Sequence, residues 1–195
     1  MTGRLVAFEG ADGCGKSTQA ARLAERLGAV LTREPGGTAV GERLRALLVD
    51  PATAGLDVRA EALLMAAARA QHVAEVIAPA LATGADVVVD RFSHSSLAYQ
   101  GHGRGLPVDE VAWLSDWATV GRWPDVVVLL EVPASVASDR LGAVDRFEAE
   151  STAFHARVVE GYRAMAAADP ARWRIVDGTG PADDVARRVW AAVAA

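Results

Sequence analysis

Short runs of apolar, often β-branched residues alternate along the chain with segments of helical periodicity. The apolar runs predict strands at residues 5–9, 30–33, 87–90, 126–132 and 174–177. Apolar positions three and four apart predict helices at residues 16–27, 40–48, 58–81, 108–119, 135–141, 149–168 and 182–194. Because the strands are continuously apolar and each is followed by a helix, we expect an α/β fold: a five-stranded parallel sheet with helices on both faces.

The segments that follow the strands are the first place to look for a site. In an open parallel sheet the C-terminal ends of the strands meet at one edge, where ligands bind. Glycines, acids and arginines gather in these segments, which read GADGCGKS, TREPGGT, DRF, SSLAYQG and DRFE. Since guanidinium groups pair well with phosphate oxygens, the arginines indicate an anion-binding edge.

The segment after the first strand has the spacing of a phosphate-binding P-loop. It matches G-x-x-x-x-G-K-[ST] and stands between a predicted strand and a predicted helix. Lys16, the only lysine of the chain, is expected to reach the β- and γ-phosphates of ATP, and Ser17 to bind Mg²⁺. The loop and the start of the helix are expected to hold the ATP phosphates: Gly10, Ala11, Asp12, Gly13, Cys14, Gly15, Lys16, Ser17 and Thr18.

Composition narrows the class of protein. The chain of 195 residues suits one domain, and its net charge of −5 gives no general attraction to nucleic acid or to an anionic membrane. No window is apolar enough for a membrane span, and the N-terminus lacks the layout of a signal peptide. A single cysteine cannot form an internal disulfide, so we expect a cytoplasmic protein.

The arginines favour phosphoryl transfer to a small phosphorylated acceptor. Switch GTPases recognise guanine through an N-K-x-D stretch. This chain lacks that stretch because it has no second lysine. No histidine is placed as a general base, and a phosphate acceptor needs none because its second pKa is about 6. The chemistry then consists of alignment and charge neutralisation. The segment around Asp145 and Arg146 precedes a long predicted helix and is expected to act as a lid.

Two alternatives stay open on the residues alone. The acceptor could be another nucleoside monophosphate, such as dUMP, or a nucleoside. A protein of a different class, a nucleotide-dependent switch or adaptor, would hydrolyse ATP slowly and consume no monophosphate.

Taken together, these motifs resemble the bacterial thymidylate kinases (dTMP kinases). The matching segments are the P-loop, REPGGT at residues 33–38, DRF at 90–92 with AYQG at 98–101, RAQHV at 69–73 and DRFE at 145–148. The resemblance implies the reaction ATP + dTMP → ADP + dTDP with Mg²⁺, on a P-loop sheet and in a homodimer. It also implies one kinase domain over residues 1–195, with an acceptor-binding helical region at about 40–82 and a short lid at about 140–150.

The resemblance also assigns roles to residues. Lys16, Asp90, Arg91 and Arg146 are expected to be catalytic, with Asp90 orienting Mg²⁺ through water and Arg146, together with Arg140, acting as lid cations. Arg33 and Arg91 would clamp the acceptor phosphate, and Tyr99 would exclude a ribose 2′-hydroxyl. The residues implied to bind dTMP are Asp12, Arg33, Pro35, Met65, Arg69, Arg91, Ser96, Tyr99 and Gln100.

Some positions depart from the pattern of the family. Met65 stands where the family often has an aromatic residue that stacks on thymine, Ala68 stands where an acid is common, and the lid is short. The thioether of Met65 can still pack against the base, but this contact does not predict a preference for dTMP over dUMP.

Several residues also have simpler interpretations. Arg33 and Arg91 could pair with Glu34 and Asp90 in surface ion pairs, and Asp90 could cap a helix. Tyr99 could be an ordinary half-buried tyrosine, and Cys14 could serve as a small residue or as a reactive thiol shielded by ATP. We interpret Trp113 and Trp117 as residues of the core or of a dimer interface. The histidines lack the spacing of metal ligands and are expected at the surface or partly buried: His72, His94, His102 and His155.

Overall fold

The computed structural model describes residues 2–138, 140 and 145–194. In this part of the chain, five strands form one parallel sheet in the order β2-β3-β1-β4-β5. The strands are β1 (Leu5–Glu9), β2 (Val30–Arg33), β3 (Val87–Asp90), β4 (Val126–Glu131) and β5 (Trp173–Asp177). The predicted fold class is confirmed, and only the end of β4 and the start of β5 differ from the predicted bounds, each by one residue.

Both faces of the sheet are covered, as the continuously apolar strands predicted. On β1, Val6 and Phe8 point into a core shared with α1 (Lys16–Leu27) and α9 (Ala182–Ala194). Leu5 and Ala7 point to the opposite face, where they pack with buried residues such as Ile77. Each of these side chains is at most 1% exposed. The central strand is therefore inaccessible on both sides, and its open end carries the P-loop.

Helices connect the strands. Besides α1 and α9 they are α2 (Ala39–Val49), α3 (Val58–His72), α4 (Ala78–Ala82), α5 (Ser93–Ser96), α6 (Val108–Thr119), α7 (Ala134–Ser138) and α8 (Thr152–Ala168). Two stretches are π-helical. Val73–Ile77 connects α3 to α4, and Leu97–Gly103 extends α5. A 3₁₀ turn, Pro51–Thr53, follows α2.

The main difference from the predicted elements lies at residues 93–103. The sequence reads as a loop there because glycines and small polar residues favour turns. The chain is helical, and α8 packs closely against it: a Cβ on Gly103 would come within 2.7 Å of the Phe154 ring. Tertiary packing therefore overrides the local propensity, and it places Ser96, Tyr99 and Gln100 on one rigid element.

The region between β4 and α8 is only partly described. The helix predicted at 135–141 is α7, and α8 starts at Thr152, three residues later than predicted, because the Ser151 side chain caps it by accepting a hydrogen bond from Phe154 N at 3.2 Å. Asp139 lies outside the described residues, and so do residues 141–144, which belong to the predicted lid. No helix in the described ranges has the length and apolarity to cross a bilayer.

Two structural interpretations from the sequence need correction. Of the two locations predicted for Trp113 and Trp117, the core is wrong, since they are 67% and 70% exposed, and a dimer interface stays a prediction. His72 and His94 are neither at the surface nor partly buried, since they are 0% and 6% exposed. A helical face that looks like core in sequence can equally be an exposed apolar face.

The burial of His94 gives the first testable prediction. Its ring packs on Trp123 and Trp173, with ring centroids 5.2 and 4.9 Å apart. Burial, helped by the charges of Arg172 and Arg69, lowers the pKa of His94 to about 3. The unfolded chain then binds one proton more than the folded chain between pH 3 and pH 6.5, so this group's contribution to stability falls as pH falls through that window, by up to ~1.4 kcal/mol per pH unit.

The change that tests this is His94→Phe, which keeps an aromatic ring and removes the titration. We expect the free energy of unfolding, measured by urea denaturation between pH 4 and 7, to depend less steeply on pH in the variant than in the wild type. Parallel pH profiles for the two proteins would contradict the account.

Candidate nucleotide-binding site

The P-loop lies between β1 and α1 and has the backbone shape that its glycines allow. Gly10 and Gly15 have φ angles of 137° and 98°, a region that side chains with a Cβ avoid. A Cβ on Gly10 would also come within 2.5 Å of Leu130 O on β4. Gly15 ends the loop at the N-terminus of α1, where no side chain caps the helix. Free N–H groups at a helix start form an anion site.

Lys16 lies inside this loop. Its ammonium donates to Ala11 O at 2.7 Å, lies 3.8 Å from Asp12 Oδ1, and the residue is 6% exposed. The side chain lines the cleft beside the loop. Cys14 is 1% exposed and packs in the core with Val6 and Phe8. Its burial supports the interpretation of Cys14 as a small packing residue. Its Sγ accepts a hydrogen bond from the Lys16 ammonium at 3.8 Å, and reactivity of the thiol stays a prediction.

Ser17 and Asp90 meet at the opening of the cleft. Ser17 Oγ donates to Asp90 Oδ2 at 2.5 Å. The other carboxylate oxygen, Asp90 Oδ1, is buried and has no hydrogen-bond partner among the described residues. The alternative role of Asp90 as a helix cap does not hold, because the N-cap position of α5 is Phe92 and no side chain caps it. A hydroxyl beside an unpaired carboxylate oxygen is a donor set that suits Mg²⁺.

Arg91 follows Asp90 directly, and its guanidinium makes four hydrogen bonds to other side chains. Its guanidinium donates to Asp12 Oδ1 at 2.5 Å, Tyr99 OH at 3.1 Å, Tyr162 OH at 3.0 Å and Ser95 Oγ at 3.1 Å. Its backbone has a φ of 68°, which is uncommon for a residue with a side chain. Strain of this kind persists where surrounding contacts fix the residue. The structure thus pairs Arg91 with Asp12, and not with Asp90 in a surface bridge.

The charges of this cluster depend on one another. Burial opposes ionisation of Asp12, but the charges of Arg91 and Lys16 outweigh it and hold the pKa of that carboxyl well below its usual range. Burial likewise opposes the charge of Arg91, but Asp12 together with Tyr99, Tyr162 and Glu9 outweighs it and raises the pKa of Arg91 well above its usual value. Burial also raises the pKa of Tyr99, whose hydroxyl donates to Asp12 Oδ2 at 2.9 Å. At neutral pH the cluster therefore holds a carboxylate, a guanidinium and a neutral phenol.

Glu9 supports the cluster from below, and sequence reasoning gave it no role. It is 0% exposed and accepts hydrogen bonds from Phe92 N at 2.9 Å, Ser95 Oγ at 2.6 Å and Tyr162 OH at 3.0 Å. Burial raises its pKa. One sequence signal could have identified Glu9: it is an acid at the end of an otherwise apolar, buried strand. Burying an unpaired charge there is energetically unfavourable, so the acid needs partners.

Two cavities meet at this cluster. The phosphate cleft contains the P-loop and is lined among others by Lys16, Ser17, Arg33, Asp90 and Glu148. The second, which we call the acceptor cavity, is lined by Asp12, Glu34, Pro35, Arg45, Val49, Met65, Arg69, Arg91, Phe92, Ser95, Ser96, Tyr99, Gln100, Asp145 and Phe147. Asp12, Glu34, Arg45 and Arg91 line both. A ligand in either cavity would therefore lie against the same carboxylate and guanidinium groups.

The acceptor cavity brings together eight of the nine residues predicted to bind the acceptor. Arg33 is the ninth: it lines the phosphate cleft only, is half-exposed, and donates to Glu42 at 2.8 Å and not to Glu34. Sequence reasoning missed Arg45, which lines both cavities and donates to Pro35 O at 3.1 Å. Burial, together with the nearby charge of Arg33, lowers its pKa. An arginine inside a helical pattern reads as an exposed residue, so no signal pointed to it.

Arg69 is fixed within the wall of the acceptor cavity. It is 2% exposed, and it donates to Glu34 Oε2 at 2.7 Å and to Ser96 Oγ at 3.0 Å. Glu34 is in turn held by His72 Nδ1 at 2.9 Å, and His72 Nε2 contacts Thr32 Oγ1 at 2.6 Å. A guanidinium held by so many partners is oriented before any ligand arrives, which reduces the entropy lost on binding.

The predicted lid cations do not both face the phosphates. Arg140 is exposed, lines the phosphate cleft and reaches Gly13 O at 3.5 Å. Arg146 is 6% exposed, pairs with Glu61 at 2.6 Å and lines neither cavity. The predicted role of Arg146 as a cation over the transferred phosphoryl group therefore disagrees with its placement, because its charge is buried and already paired.

Comparison with known proteins agrees with this geometry. The sequence pattern of the family described as thymidylate kinase matches residues 8–189. The chain is similar to the thymidylate kinase of Desulfovibrio desulfuricans, with 47% identity over 206 residues that cover 98% of this chain and 95% of the relative. The corresponding protein of Solidesulfovibrio magneticus is 48% identical and covers 97% and 98%. The crystal structure of thymidylate kinase from Ehrlichia chaffeensis superposes with a TM-score of 0.82 at 30% identity, and the match covers 100% of both chains.

A change of Lys16 tests the phosphate cleft. Lys16→Met keeps the length of the side chain and removes the charge. We expect calorimetry to give an ATP affinity about 10- to 100-fold lower, since a charge-assisted hydrogen bond contributes about 1.5–3 kcal/mol. Arg22→Met, which removes an exposed arginine paired with Asp183, is the control and should bind ATP normally. Equal affinities in all three proteins would refute the assignment.

Proposed function

The chain belongs to the thymidylate kinase family, and on that basis we propose that it transfers the γ-phosphoryl group of ATP to dTMP, giving ADP and dTDP. The observation that carries the proposal is the meeting of a P-loop cleft and an arginine-walled cavity at the Asp12–Arg91 pair. A kinase needs two phosphate sites in contact, whereas a switch protein needs one.

The acceptor cavity supports a nucleoside monophosphate as the second substrate. Arg91 and Arg45 at its junction with the phosphate cleft supply the charge for a phosphate group. Deeper in the cavity, Met65, Phe92 and Phe147 offer apolar surface for a base and sugar. Arg69, Ser96 and Gln100 bring hydrogen-bonding groups to the same wall, as expected for contacts to the edge of thymine. The polar contacts fix the orientation of the ligand, and the apolar walls exclude water.

The donor side supports ATP with Mg²⁺. The P-loop N–H groups and Lys16 are placed for the phosphates of ATP. Ser17 and Asp90 are the residues that would hold the metal, and the unpartnered Asp90 Oδ1 fits that role. Bound Mg²⁺ would neutralise phosphate charge during transfer. The acceptor phosphate is itself anionic at neutral pH, so the residues of the chain act by aligning the two substrates and stabilising charge.

The position of Tyr99 supports a role in ordering the acceptor site. Its ring is 7% exposed, and its hydroxyl bridges Asp12 and Arg91. These contacts support a positioning role for Tyr99, and the exclusion of ribose stays a prediction.

A substrate panel tests the proposed function. ADP release from ATP should depend on dTMP and should be slower with dUMP, dCMP, dGMP or dAMP at equal concentration. Preference for dUMP would support the rival monophosphate kinase. Slow ATP hydrolysis that no monophosphate accelerates would support the switch protein and refute the kinase.

We also propose that the protein is a cytoplasmic homodimer. An exposed apolar face on α3 and α6 supports the dimer: Leu63 is 58% exposed, Trp113 67%, Trp117 70% and Val120, just after α6, 89%. Exposed apolar patches of this kind mark interaction surfaces, and tryptophan is enriched in them. The face lies on the helices that also carry Arg69 and Ser115, so pairing there would stiffen the wall of the acceptor cavity.

The change Trp113→Glu tests this face. A charge within a buried apolar interface is strongly unfavourable, so we expect the dimer mass measured by light scattering to shift to that of the monomer. Ile175→Glu, at a 58% exposed position on the edge strand β5, is the matched control and should leave the mass unchanged. A monomeric wild type would refute the dimer.

A further inference from the structure

Residues 145–148 divide between two environments. Asp145 and Phe147 line the acceptor cavity, and Glu148 lines the phosphate cleft. Arg146, between them, points inward and is 6% exposed. The segment is a turn and not a helix, and its shape is fixed internally: Ala149 N donates to Asp145 O at 2.9 Å, and Asp145 Oδ1 accepts from Phe147 N and Glu148 N. How the whole turn sits against the helices beside the cavity is a separate matter, and there Arg146 supplies contacts.

The anchor of Arg146 consists of three contacts to other elements. Its Nη1 donates to Glu61 Oε2 on α3 at 2.6 Å, and its Nε donates to Leu48 O on α2 at 2.7 Å. Its backbone N–H donates to Val49 O at 3.1 Å. The guanidinium also lies 4.5 Å from the centroid of the Phe147 ring. The segment is thus tied to the ends of two helices that border the acceptor cavity.

Glu61 connects this anchor to the opposite wall of the cavity. It is 0% exposed, and besides Arg146 it accepts hydrogen bonds from Gln100 Nε2 at 2.8 Å and from Arg104 Nε at 3.2 Å. Arg104 also pairs with Glu150, two residues before α8 begins. Gln100 lines the acceptor cavity. One buried carboxylate therefore sets the positions of Gln100 on one side and of residues 145–148 on the other.

We propose that Glu61 and Arg146 are positioning residues that hold the acceptor cavity in its binding shape. The inference rests on the proposed transfer to dTMP and assigns Arg146 a role different from that of a cation on the moving phosphoryl group. Its charge is compensated by Glu61 at 2.6 Å, and it lines neither cavity. Removing one partner of a buried ion pair leaves the other without compensation, so both changes should disturb the same wall.

The kinetic test separates positioning from catalysis. In Arg146→Gln we expect the KM for dTMP to rise about 10-fold, with kcat and the KM for ATP within about threefold of the wild type, because acceptor binding is lost and the transferring groups are intact. A cation acting on the transition state would instead lower kcat by about 10²-fold or more and leave the KM for dTMP unchanged. That second result would overturn the inference.

Coupling between the two residues gives a second readout. Glu61→Gln should raise the KM for dTMP as Arg146→Gln does, and the double variant should be no worse than the poorer single variant, because both changes break one unit. Additive effects would overturn the inference. Arg163→Gln removes a surface arginine paired with Glu131 and is the matched control, which should leave all three kinetic constants unchanged.

A variant that fails to fold does not block the test. Arg146→Lys keeps the charge near Glu61 but cannot also reach Leu48 O with an Nε donor, so we expect a smaller rise in the KM for dTMP and a folded protein by circular dichroism. An unchanged KM in a folded Arg146→Lys would overturn the inference. If the wild type does not turn over dTMP, the proposed function is wrong. If the wild type turns over dTMP and the variants have the same kinetic constants as the wild type, only the positioning role of Glu61 and Arg146 is wrong.

Discussion

The ion pair between Arg91 and Asp12 is the constraint on which the rest of the site depends. Asp12 belongs to the P-loop and Arg91 follows β3, so their 2.5 Å contact joins the neighbouring strands β1 and β3 at the open edge of the sheet. Each residue lines both cavities. The strained backbone of Arg91, with a φ of 68°, costs of the order of 1–3 kcal/mol, and four side-chain partners hold it in place.

Buried glutamates organise the polar wall around this pair. Glu9 holds Ser95 and Tyr162, which in turn hold Arg91. Glu34 holds Arg69, and Glu61 holds Gln100 together with Arg146. These three acids are at most 5% exposed. Because burying a charge is unfavourable unless it is fully paired, the network favours one arrangement of the wall over others. The binding groups are therefore oriented before a substrate enters.

Much of this arrangement could be predicted from the sequence. Strand and helix periodicity gave the sheet, and the P-loop spacing located the phosphate cleft because its chemistry requires glycines and one ammonium at fixed positions. Parallel topology then brought Asp12 and the third-strand motif with Arg91 to the same edge, and the family resemblance added Arg69 and Tyr99; the four residues line one cavity.

What could not be predicted is the direction in which charged side chains point. Arg146 was expected to act as a lid cation, and Glu61 was given no role; only their tertiary contacts show that both are buried and paired with each other. Arg45 was missed for the same reason, whereas the helix at residues 93–103 was missed because its glycines and small polar residues favour turns. Local propensity and periodicity describe an element, but the partner that covers it is a property of the fold.

The measurement that tests the central claim most directly is the affinity for dTMP, without ATP, of the wild type and of Arg91→Lys. A lysine keeps the charge but cannot supply the forked contacts to Asp12, Tyr99, Tyr162 and Ser95. Calorimetry should give tight binding to the wild type and binding at least about 10-fold weaker to the variant. Equal dTMP affinities in the two proteins would contradict the account.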